Sequence, residues 1–199
     1  MILFNCDYNE GAHESILRRL AETNMEQTAG YGEDLYCLSA QERIQKLCEA
    51  PQAKVYFLSG GTQANLTVIA AALRPHQSAI GAVTAHINGH ETGAVEATGH
   101  KILTVPSLDG KLTASQVEEL YREQVLENDA FEHVTKPKLV YISNPTELGT
   151  IYHERELRKL HEVCQRYGLY LYMDGARLGY GLAAKDNDLT LTKIAKYCD

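Results

Sequence analysis

The sequence has 199 residues, of which 44% are hydrophobic and 23% charged, a composition typical of a globular protein. The formal net charge is −7 and the basic residues are scattered, which argues against nucleic acid as a partner. No apolar run approaches the roughly 20 residues that span a bilayer, so no membrane segment is predicted. The five cysteines are widely spaced without a C-x-x-C pair, which indicates reduced thiols in a cytoplasmic protein rather than disulfides or a zinc site.

Two helical patterns, near residues 12–23 and 39–49, predict an N-terminal helical segment over residues 1–50. From residue 51 to 199, short β-rich runs alternate with helical patterns. The predicted strands are 53–59, 78–84, 100–106, 138–143 and 169–174, and the predicted helices are 60–73, 88–98, 113–127, 154–168 and 189–199. This alternation predicts parallel pairing with right-handed crossovers. The expected fold is of the α/β class, a three-layer α/β/α sandwich with a mainly parallel sheet.

The residues that follow each predicted strand are the first place to search for a site, because parallel sheets bind ligands at the carboxyl ends of their strands. After the strand 53–59, Gly61, Thr62 and Gln63 open a helix whose unpaired N–H groups favour an anion such as a phosphate. The alternative is a plain strand-to-helix turn that needs glycine. The sequence alone leaves both interpretations open.

Two histidines follow the next predicted strand. His86 and His90 have the i, i+4 spacing of a metal-binding pair on a helix. Against a metal, the Asn88-Gly89 pair indicates that the helix begins only after His86, and a third ligand would have to come from far away. We therefore predict no metal. The ring of His86 is instead placed to lie against a flat ligand.

Charged and polar side chains follow the last two predicted strands. Asp174 ends an apolar run, and Arg177 follows after two small residues. Unpaired charges are costly at the end of an interior strand, so these two side chains either satisfy each other or hold a ligand. Asn144 and Thr146 either bond to the same ligand or form a proline turn. An anion site, a flat ring, a hydrogen-bonding loop and a carboxylate at one sheet edge suit pyridoxal 5'-phosphate, whose pyridine nitrogen stays protonated beside a carboxylate.

Four stretches resemble the threonine aldolase / β-eliminating lyase family, pyridoxal-phosphate enzymes of the aspartate aminotransferase fold. They are "YGED" (31–34), "GGTQANL" (60–66), "AHINGHETGA" (85–94) and "MDGARL" (173–178), in the family's order and over nearly the whole chain. The resemblance implies that residues 51–199 are part of a pyridoxal-phosphate-binding large domain. It implies a phosphate grip by Gly61, Thr62 and Gln63.

The resemblance also implies catalytic and substrate-side roles. His86 would stack on the cofactor ring, Asp174 would hold the pyridine nitrogen, and Arg177 would lie near the cofactor oxygen and the substrate carboxylate. The implied substrate-side residues are Cys6, Tyr31, His90 and Thr146. Of these, Tyr31 would enter the site of a neighbouring subunit in a homodimer or homotetramer. Cys6 and Thr146 depart from the family, which carries a serine and a histidine in the corresponding stretches.

The function implied is cleavage of the Cα–Cβ bond, or β-elimination, in a small amino acid. A transaminase or desulfurase on the same fold is an alternative, because these reactions differ in substrate groups rather than cofactor groups. The family places its Schiff-base lysine after the strand that would follow Asp199, so we expect a truncated chain that is inactive by itself. None of Lys185, Lys193 and Lys196 is assigned to that role.

Overall fold

The computed structural model of the protein describes residue 3 and residues 6–199. The chain divides into two compact units, Met1–Ala40 and Gln41–Asp199. Helix α1 (Glu14–Thr23) belongs to the first unit, and helix α2 (Leu35–Leu47) contains the division between them. The prediction of a helical N-terminal segment is therefore confirmed.

The second unit contains a four-stranded sheet in which every pairing is parallel. Its strands are β1 (Gln77–Ala82), β2 (Lys101–Val105), β3 (Lys136–Ser143) and β4 (Tyr170–Asp174), in the order β2-β1-β3-β4. Strand β2 lies on one side of β1, and β3 and β4 lie on the other side. The carboxyl ends of β1, β3 and β4 are therefore next to one another. The predicted parallel sheet is confirmed.

Seven further α-helices accompany the sheet in the described residues. They are α3 (Gly61–Ala72), α4 (His86–Gly89), α5 (Ala94–Ala97), α6 (Ala114–Tyr121), α7 (Glu154–Tyr167), α8 (Leu178–Ala183) and α9 (Leu191–Tyr197). Helix α6 begins with a capping box, in which the side chains of Thr113 and Gln116 each bond to the other's backbone N–H. Helix α7 ends at Gly168, whose φ of 62° suits a left-handed cap that glycine adopts without a Cβ penalty.

Hydrophobic side chains cover both faces of the sheet. Alternate residues of a strand point to opposite faces, so Val140 and Ile142 join a core with α6, α7 and α9, while Leu139 and Tyr141 join a core with α3 and α5. The three-layer α/β/α sandwich expected from the sequence is therefore confirmed. The sheet edge formed by the strand carboxyl ends is where the two layers of helices begin.

Three sequence predictions need correction. Residues 53–59 form no strand, because no described strand lies beside them to share hydrogen bonds, and Tyr56 is 79% exposed. The predicted helix 88–98 is two short helices, interrupted where Thr92 and Gly93 both adopt positive φ. The predicted helix 113–127 is α-helical only to Tyr121 and continues as a π-helical turn, Arg122–Leu126.

No helix in the part of the chain that the structure describes is long and apolar enough to cross a bilayer.

Candidate active site

Within the part of the chain that the structure describes, the carboxylate of Asp174, the last residue of β4, accepts three hydrogen bonds. Its Oδ2 accepts from the hydroxyl of Tyr141 at 2.7 Å and from Nδ2 of Asn65 at 3.0 Å. Its Oδ1 accepts from the backbone N–H of Ala176 at 2.9 Å. A carboxylate has about four acceptor positions, so these donors fix its rotation and leave room for one further donor on Oδ1.

Asn65 joins helix α3 to this carboxylate. It is only 2% exposed and lies one turn after the start of the helix. Its Nδ2 donates to Oε1 of Glu91 at 2.6 Å as well as to Asp174, and its Oδ1 accepts from the hydroxyl of Tyr172 at 2.7 Å. The start of α3 is thereby held beside the end of β4.

His86 opens helix α4, directly after β1. Its Nδ1 lies 2.8 Å from Oε1 of Glu91, and its backbone N–H donates to Oε1 of Glu147 at 2.9 Å. The side chain of Glu91 is fully buried, whereas that of His86 is 40% exposed. The imidazole is thus anchored on its inner side and open on its outer side.

Asp174, Asn65, Glu91 and His86 form a hydrogen-bond network. Burial keeps the two tyrosines that donate to it protonated. It is the largest cause that raises the pKa of Tyr141 and of Tyr172 well above the usual tyrosine value, and the nearby charge of Asp174 raises both further. The hydroxyls therefore act as hydrogen-bond donors. The rings lie 5.7 Å apart in an edge-on arrangement, on neighbouring strands.

The first turn of α3 is exposed at the same edge. Gly61, Thr62 and Gln63 precede Asn65 on this helix and face solvent, so their backbone N–H groups are available to an anion. The side chain of Gln63 instead folds back, and its Oε1 accepts from the backbone and hydroxyl of Ser59 at 2.9 and 2.7 Å. Gln63 therefore offers its backbone rather than its amide oxygen.

Arg177 and His90 lie near residues of the network in sequence. Arg177 is half-buried, precedes α8 and stands three residues after Asp174. His90 is exposed, and its ring centroid lies 5.6 Å from that of His86. The structure therefore brings together the first turn of α3, the two histidines and the Asp174 end of β4.

The described hydrogen bonds of the Thr146 side chain are to residues other than these. It is 2% exposed, and its hydroxyl bonds to the carbonyl oxygen of Asp109 at 3.2 Å and to the hydroxyl of Thr150 at 2.7 Å. Asn144 is also used locally, because its Oδ1 accepts from the backbone N–H of Tyr152. The backbone N–H of Asn144 donates to the carbonyl oxygen of Asp174 at 3.0 Å, so this loop adjoins the site, and Glu147 is its residue whose side chain bonds to His86.

Sequence reasoning missed Glu147, Asn65 and Tyr141. Glu147 Oε1 accepts from the hydroxyl of Ser143 at 2.6 Å in addition to the backbone of His86, and so it ties the loop after β3 to the loop after β1. A signal was present for Asn65, a polar residue on the buried stripe of an apolar helix. For Tyr141, the signal was a hydroxyl inside an otherwise apolar strand.

Cys6 and Tyr31 belong to the first unit. The thiol of Cys6 donates to Oδ1 of Asn9 at 2.8 Å. Tyr31 is fully exposed and has a positive φ of 62°. Their proposed substrate-side roles remain predictions.

The metal site considered from the sequence would need a third ligand beside His86 and His90. In residue 3 and residues 6–199, no three His, Cys, Asp or Glu side chains come close enough to hold a metal ion. Nδ1 of His86 is directed at Glu91, which is the geometry of an oriented ring.

Comparisons with known proteins give the chain its relatives. The profile of the beta-eliminating lyase family matches residues 7–199. A low specificity L-threonine aldolase of Pseudomonas aeruginosa is 32% identical over 184 residues, which cover 90% of this chain and 51% of that protein. A low-specificity L-threonine aldolase of Candida albicans is 27% identical over 169 residues, covering 84% of this chain and 43% of that protein.

Solved structures agree with these relatives. A threonine aldolase of Leishmania major superposes with a TM-score of 0.92 at 48% identity, over 96% of this chain and 55% of that one. An aromatic aminotransferase of Pyrococcus horikoshii, at 15% identity and a TM-score of 0.70, shares the fold over 93% of this chain and 48% of that one. The chain thus spans about half the length of the relatives it matches. Because the family profile covers nearly the whole sequence, this chain belongs to the beta-eliminating lyase family.

Proposed function

We propose that this chain supplies the cofactor-binding edge of a pyridoxal-phosphate-dependent lyase that acts on a small amino acid. The reaction class is threonine-aldolase-like Cα–Cβ cleavage or β-elimination. The relatives support this class, since the P. aeruginosa protein and the L. major structure are both threonine aldolases. The observation that carries the proposal is the carboxylate of Asp174, held by three donors with one acceptor position left over.

The residues of the site fit pyridoxal phosphate. The remaining position on Oδ1 of Asp174 suits the N–H of a protonated pyridine nitrogen. The exposed N–H groups at the start of α3 suit a phosphate, which is favoured at helix N-termini by both hydrogen bonding and the helix dipole. The anchored, half-exposed ring of His86 offers a flat surface to the cofactor ring.

The cofactor, when bound, supplies an electron sink for the electron pair released at Cα as a bond to that atom breaks. Asp174 contributes by keeping a proton on the ring nitrogen, because its negative charge favours the cationic form. His86 keeps the ring flat against the sheet edge and excludes water from one of its faces. Arg177, three residues after Asp174, is assigned to the cofactor oxygen or to the substrate carboxylate.

On the substrate side, we assign the hydroxyl proton of a β-hydroxy amino acid to Glu147. Cleavage of such a substrate requires a base that accepts this proton. Both hydrogen bonds of Glu147 end on Oε1, and within the described part of the chain Oε2 makes none. His90 is exposed beside His86 and is proposed to contact the same substrate.

The experiment is a titration of the chain with pyridoxal phosphate, followed by absorbance and tyrosine fluorescence, with inorganic phosphate as a competitor. We expect saturable binding that phosphate weakens. Asp174→Asn keeps the shape and loses the charge, so it should bind more weakly by about tenfold, which corresponds to about 1.4 kcal/mol.

Asp188→Asn is the matched control. Asp188 also accepts a backbone hydrogen bond, from Glu154 at 2.8 Å, but lies outside the network. We expect its affinity for pyridoxal phosphate to be unchanged. If the chain shows no saturable binding, or if Asp174→Asn and Asp188→Asn bind alike, the proposed function is wrong.

We also propose that the protein is a cytoplasmic homodimer or homotetramer in which Tyr31 enters the site of a neighbouring subunit. The fully exposed ring at positive φ supports this, because a large side chain in that conformation costs free energy that a neighbouring subunit would offset. Light scattering of the chain and of Tyr31→Ala, each with and without pyridoxal phosphate, tests it. We expect the cofactor to favour the oligomer of the unsubstituted chain only. A monomer under all conditions would contradict the proposal.

A further inference from the structure

Two polar side chains near the Asp174 end of β4 are deeply buried. Asn65 is 2% exposed and Glu91 is 3% exposed. Burial of such groups is costly unless they are hydrogen-bonded. Asn65 makes three bonds, and Glu91 accepts two on Oε1, while its Oε2 is buried and has no partner in the described residues. The burial of the Glu91 side chain is therefore costly, which indicates that it has a specific role.

The orientation of the Asn65 amide follows from its neighbours. Glu91 and Asp174 present carboxylate oxygens, which only accept hydrogen bonds, and Tyr172 presents a hydroxyl that stays protonated. The NH₂ group must therefore face the two carboxylates and the carbonyl oxygen must face Tyr172, since the flipped amide would place oxygen against oxygen. Asn65 gives one hydrogen to each of these two side chains and so ties Glu91 to Asp174.

The protonation of His86 follows from Glu91 in the same way. Oε1 of Glu91 already accepts from Asn65 and has a lone pair for a second donor, so we assign the hydrogen between the two side chains to Nδ1 of His86. In the neutral ring, Nε2 is then an acceptor on the exposed side. The backbone N–H of His86 is held separately by Glu147, so a glutamate holds the backbone of this residue and another holds its ring.

We propose that Asn65 and Glu91 are positioning residues of the cofactor edge. Asn65 holds the carboxylate of Asp174 at the rotation that leaves Oδ1 available to a pyridine nitrogen. Glu91 holds the ring of His86 with Nδ1–H inward. The identity of the ligand rests on the proposed function, whereas the rotation of Asp174 and the tautomer of His86 belong to the chain itself.

The first test needs no ligand. The ¹⁵N shifts of the His86 imidazole, assigned by the loss of its signals in His86→Gln, are measured at about pH 8.5, where histidine is ordinarily neutral. We expect the Nδ1–H tautomer in the unsubstituted chain. Glu91→Gln retains an acceptor oxygen and should retain this tautomer, while Glu91→Leu should lose it. An Nε2–H tautomer in the unsubstituted chain, or no change in Glu91→Leu, overturns the role of Glu91.

The second test uses 4-deoxypyridoxine 5'-phosphate, an analogue without the aldehyde, labelled with ¹⁵N in its ring. We expect Asn65→Leu to bind it at least about tenfold more weakly than the unsubstituted chain. We also expect the ¹⁵N shift of the bound ring to move from the protonated toward the neutral value. A general loss of stability would not change the protonation of the ring nitrogen in the fraction that binds.

The matched control for Asn65→Leu is Asn187→Leu. Asn187 also makes three side-chain hydrogen bonds, two donated to the carbonyl oxygens of Leu182 and Leu189 and one accepted from the backbone of Leu189, but all are to backbone groups close to it in sequence. It should bind the analogue as the unsubstituted chain does. Unchanged affinity and ring protonation in Asn65→Leu would overturn the role of Asn65.

If Asn65→Leu does not fold, Tyr172→Phe takes its place. It removes only the hydroxyl that orients Asn65, and should weaken binding by about threefold in the same direction. No change in Tyr172→Phe overturns the proposal as well. If the unsubstituted chain does not bind the analogue, the proposed function fails. The His86 tautomer and the carboxyl ¹³C shift of Asp174 in the same variants then still decide the inference.

Discussion

Tyr141 and Asp174, on the neighbouring strands β3 and β4, share a hydrogen bond of 2.7 Å in which the hydroxyl donates. The strand register pairs Tyr141 with Tyr172 and Ser143 with Asp174, so all four side chains leave the sheet on the same face. Parallel pairing alone therefore brings a donor to the carboxylate. Burial, which raises the pKa of Tyr141 far above its usual range, ensures that the donor keeps its proton.

Tyr141→Phe should weaken both folding and cofactor binding. We expect a loss of about 1–2 kcal/mol in the free energy of unfolding, because one hydrogen bond is removed from a partly buried carboxylate. The affinity for pyridoxal phosphate should fall as well, since the rotation of Asp174 becomes less restricted. Urea unfolding and a cofactor titration measure the two effects separately.

Tyr152→Phe is the control for this prediction. Tyr152 is a second fully buried tyrosine, whose hydroxyl accepts from the backbone of Leu112 at 2.6 Å, away from Asp174. Its loss should destabilise the fold to a similar extent without affecting cofactor affinity. Equal affinities in the two variants would contradict the role of Tyr141.

At position 86, a flat ring should matter more for binding than a nitrogen. We expect His86→Phe to bind pyridoxal phosphate more tightly than His86→Ala, because only the first retains a surface for stacking. Both should be less stable than the unsubstituted chain, since Glu91 loses a donor in each. Thermal unfolding and cofactor titration provide the two measurements.

If His86 and His90 instead bound a metal ion, chelators and the substitution His90→Ala would each have an effect. We expect chelators to leave cofactor binding unchanged, and His90→Ala to leave the metal content of the purified chain unchanged. Zinc present in a one-to-one ratio and lost in His90→Ala, measured by mass spectrometry of the metal, would favour the metal interpretation.

The sequence predicted the sheet better than it predicted the site. The runs that became β1 to β4 were recognisable because short β-rich runs alternate with helical patterns, and Asp174 stood out as a charge at the end of one; β4, expected to be an interior strand, lies at the edge of the described sheet. Residues 53–59 are equally apolar, yet pairing depends on a neighbour that local sequence does not reveal. Asn65 and Glu91 were present in the quoted motifs, but their bond joins residues 26 positions apart, and only the fold brings them together.

The loop that contains Thr146 offers a test of whether this residue serves the fold or the site. Gly110 has a φ of 82°, and a Cβ added there would lie 2.9 Å from Oγ1 of Thr146. Gly99 has a φ of 87° with no atom within 4 Å of an added Cβ. We expect Gly99→Ala to cost about 1 kcal/mol of the free energy of unfolding through backbone strain alone. Gly110→Ala should cost about 1–3 kcal/mol more through the collision with Thr146.

The same two variants are then titrated with pyridoxal phosphate. If Thr146 serves the fold, as its bonds to Asp109 and Thr150 indicate, both variants should bind the cofactor as the unsubstituted chain does. A selective loss of affinity in Gly110→Ala would place the Thr146 hydroxyl closer to the site than we infer.

One buried thiol, Cys164, and one partly buried thiol, Cys198, should make the fold sensitive to alkaline pH. Burial raises the pKa of Cys164 and of Cys198 from 9.0 to about 12. Because the pKa is raised in the folded state, the stabilisation is fully present below pH 9 and is lost as the pH rises from 9 toward 12. The slope is about 1.4 kcal/mol per pH unit for each thiol.

Urea unfolding at about pH 8 and about pH 10.5 measures this dependence. Other groups also titrate in this range, so the comparison is with the double variant Cys164→Ala/Cys198→Ala, which should lose part of the pH dependence. In addition, both thiols should resist alkylation in the folded chain, since the thiolate is the nucleophile. An identical pH dependence in the double variant would contradict the prediction.

The last prediction is that pyridoxal phosphate binds this chain reversibly and without covalent attachment to Lys185, Lys193 or Lys196. Attack on the aldehyde needs an uncharged amine, and an enzyme obtains one by lowering the pKa of a lysine through desolvation or a cationic neighbour. Lys193 shows the reverse, because its hydrogen bond to Glu154 raises its pKa. Its Nζ lies 2.7 Å from the Glu154 carboxylate and also donates to the carbonyl oxygen of Asp188.

Lys185 and Lys196 are exposed, so burial does not desolvate either amine. Borohydride reduction of the chain with added pyridoxal phosphate, followed by peptide mapping, should give only scattered, substoichiometric adducts. Glu154→Gln tests the reason, because without the carboxylate the pKa of Lys193 should fall and its modification should rise relative to that of Lys185. A single stoichiometric adduct on any of the three lysines in the unsubstituted chain would overturn this prediction, and would show that this stretch of the protein carries its own reactive amine.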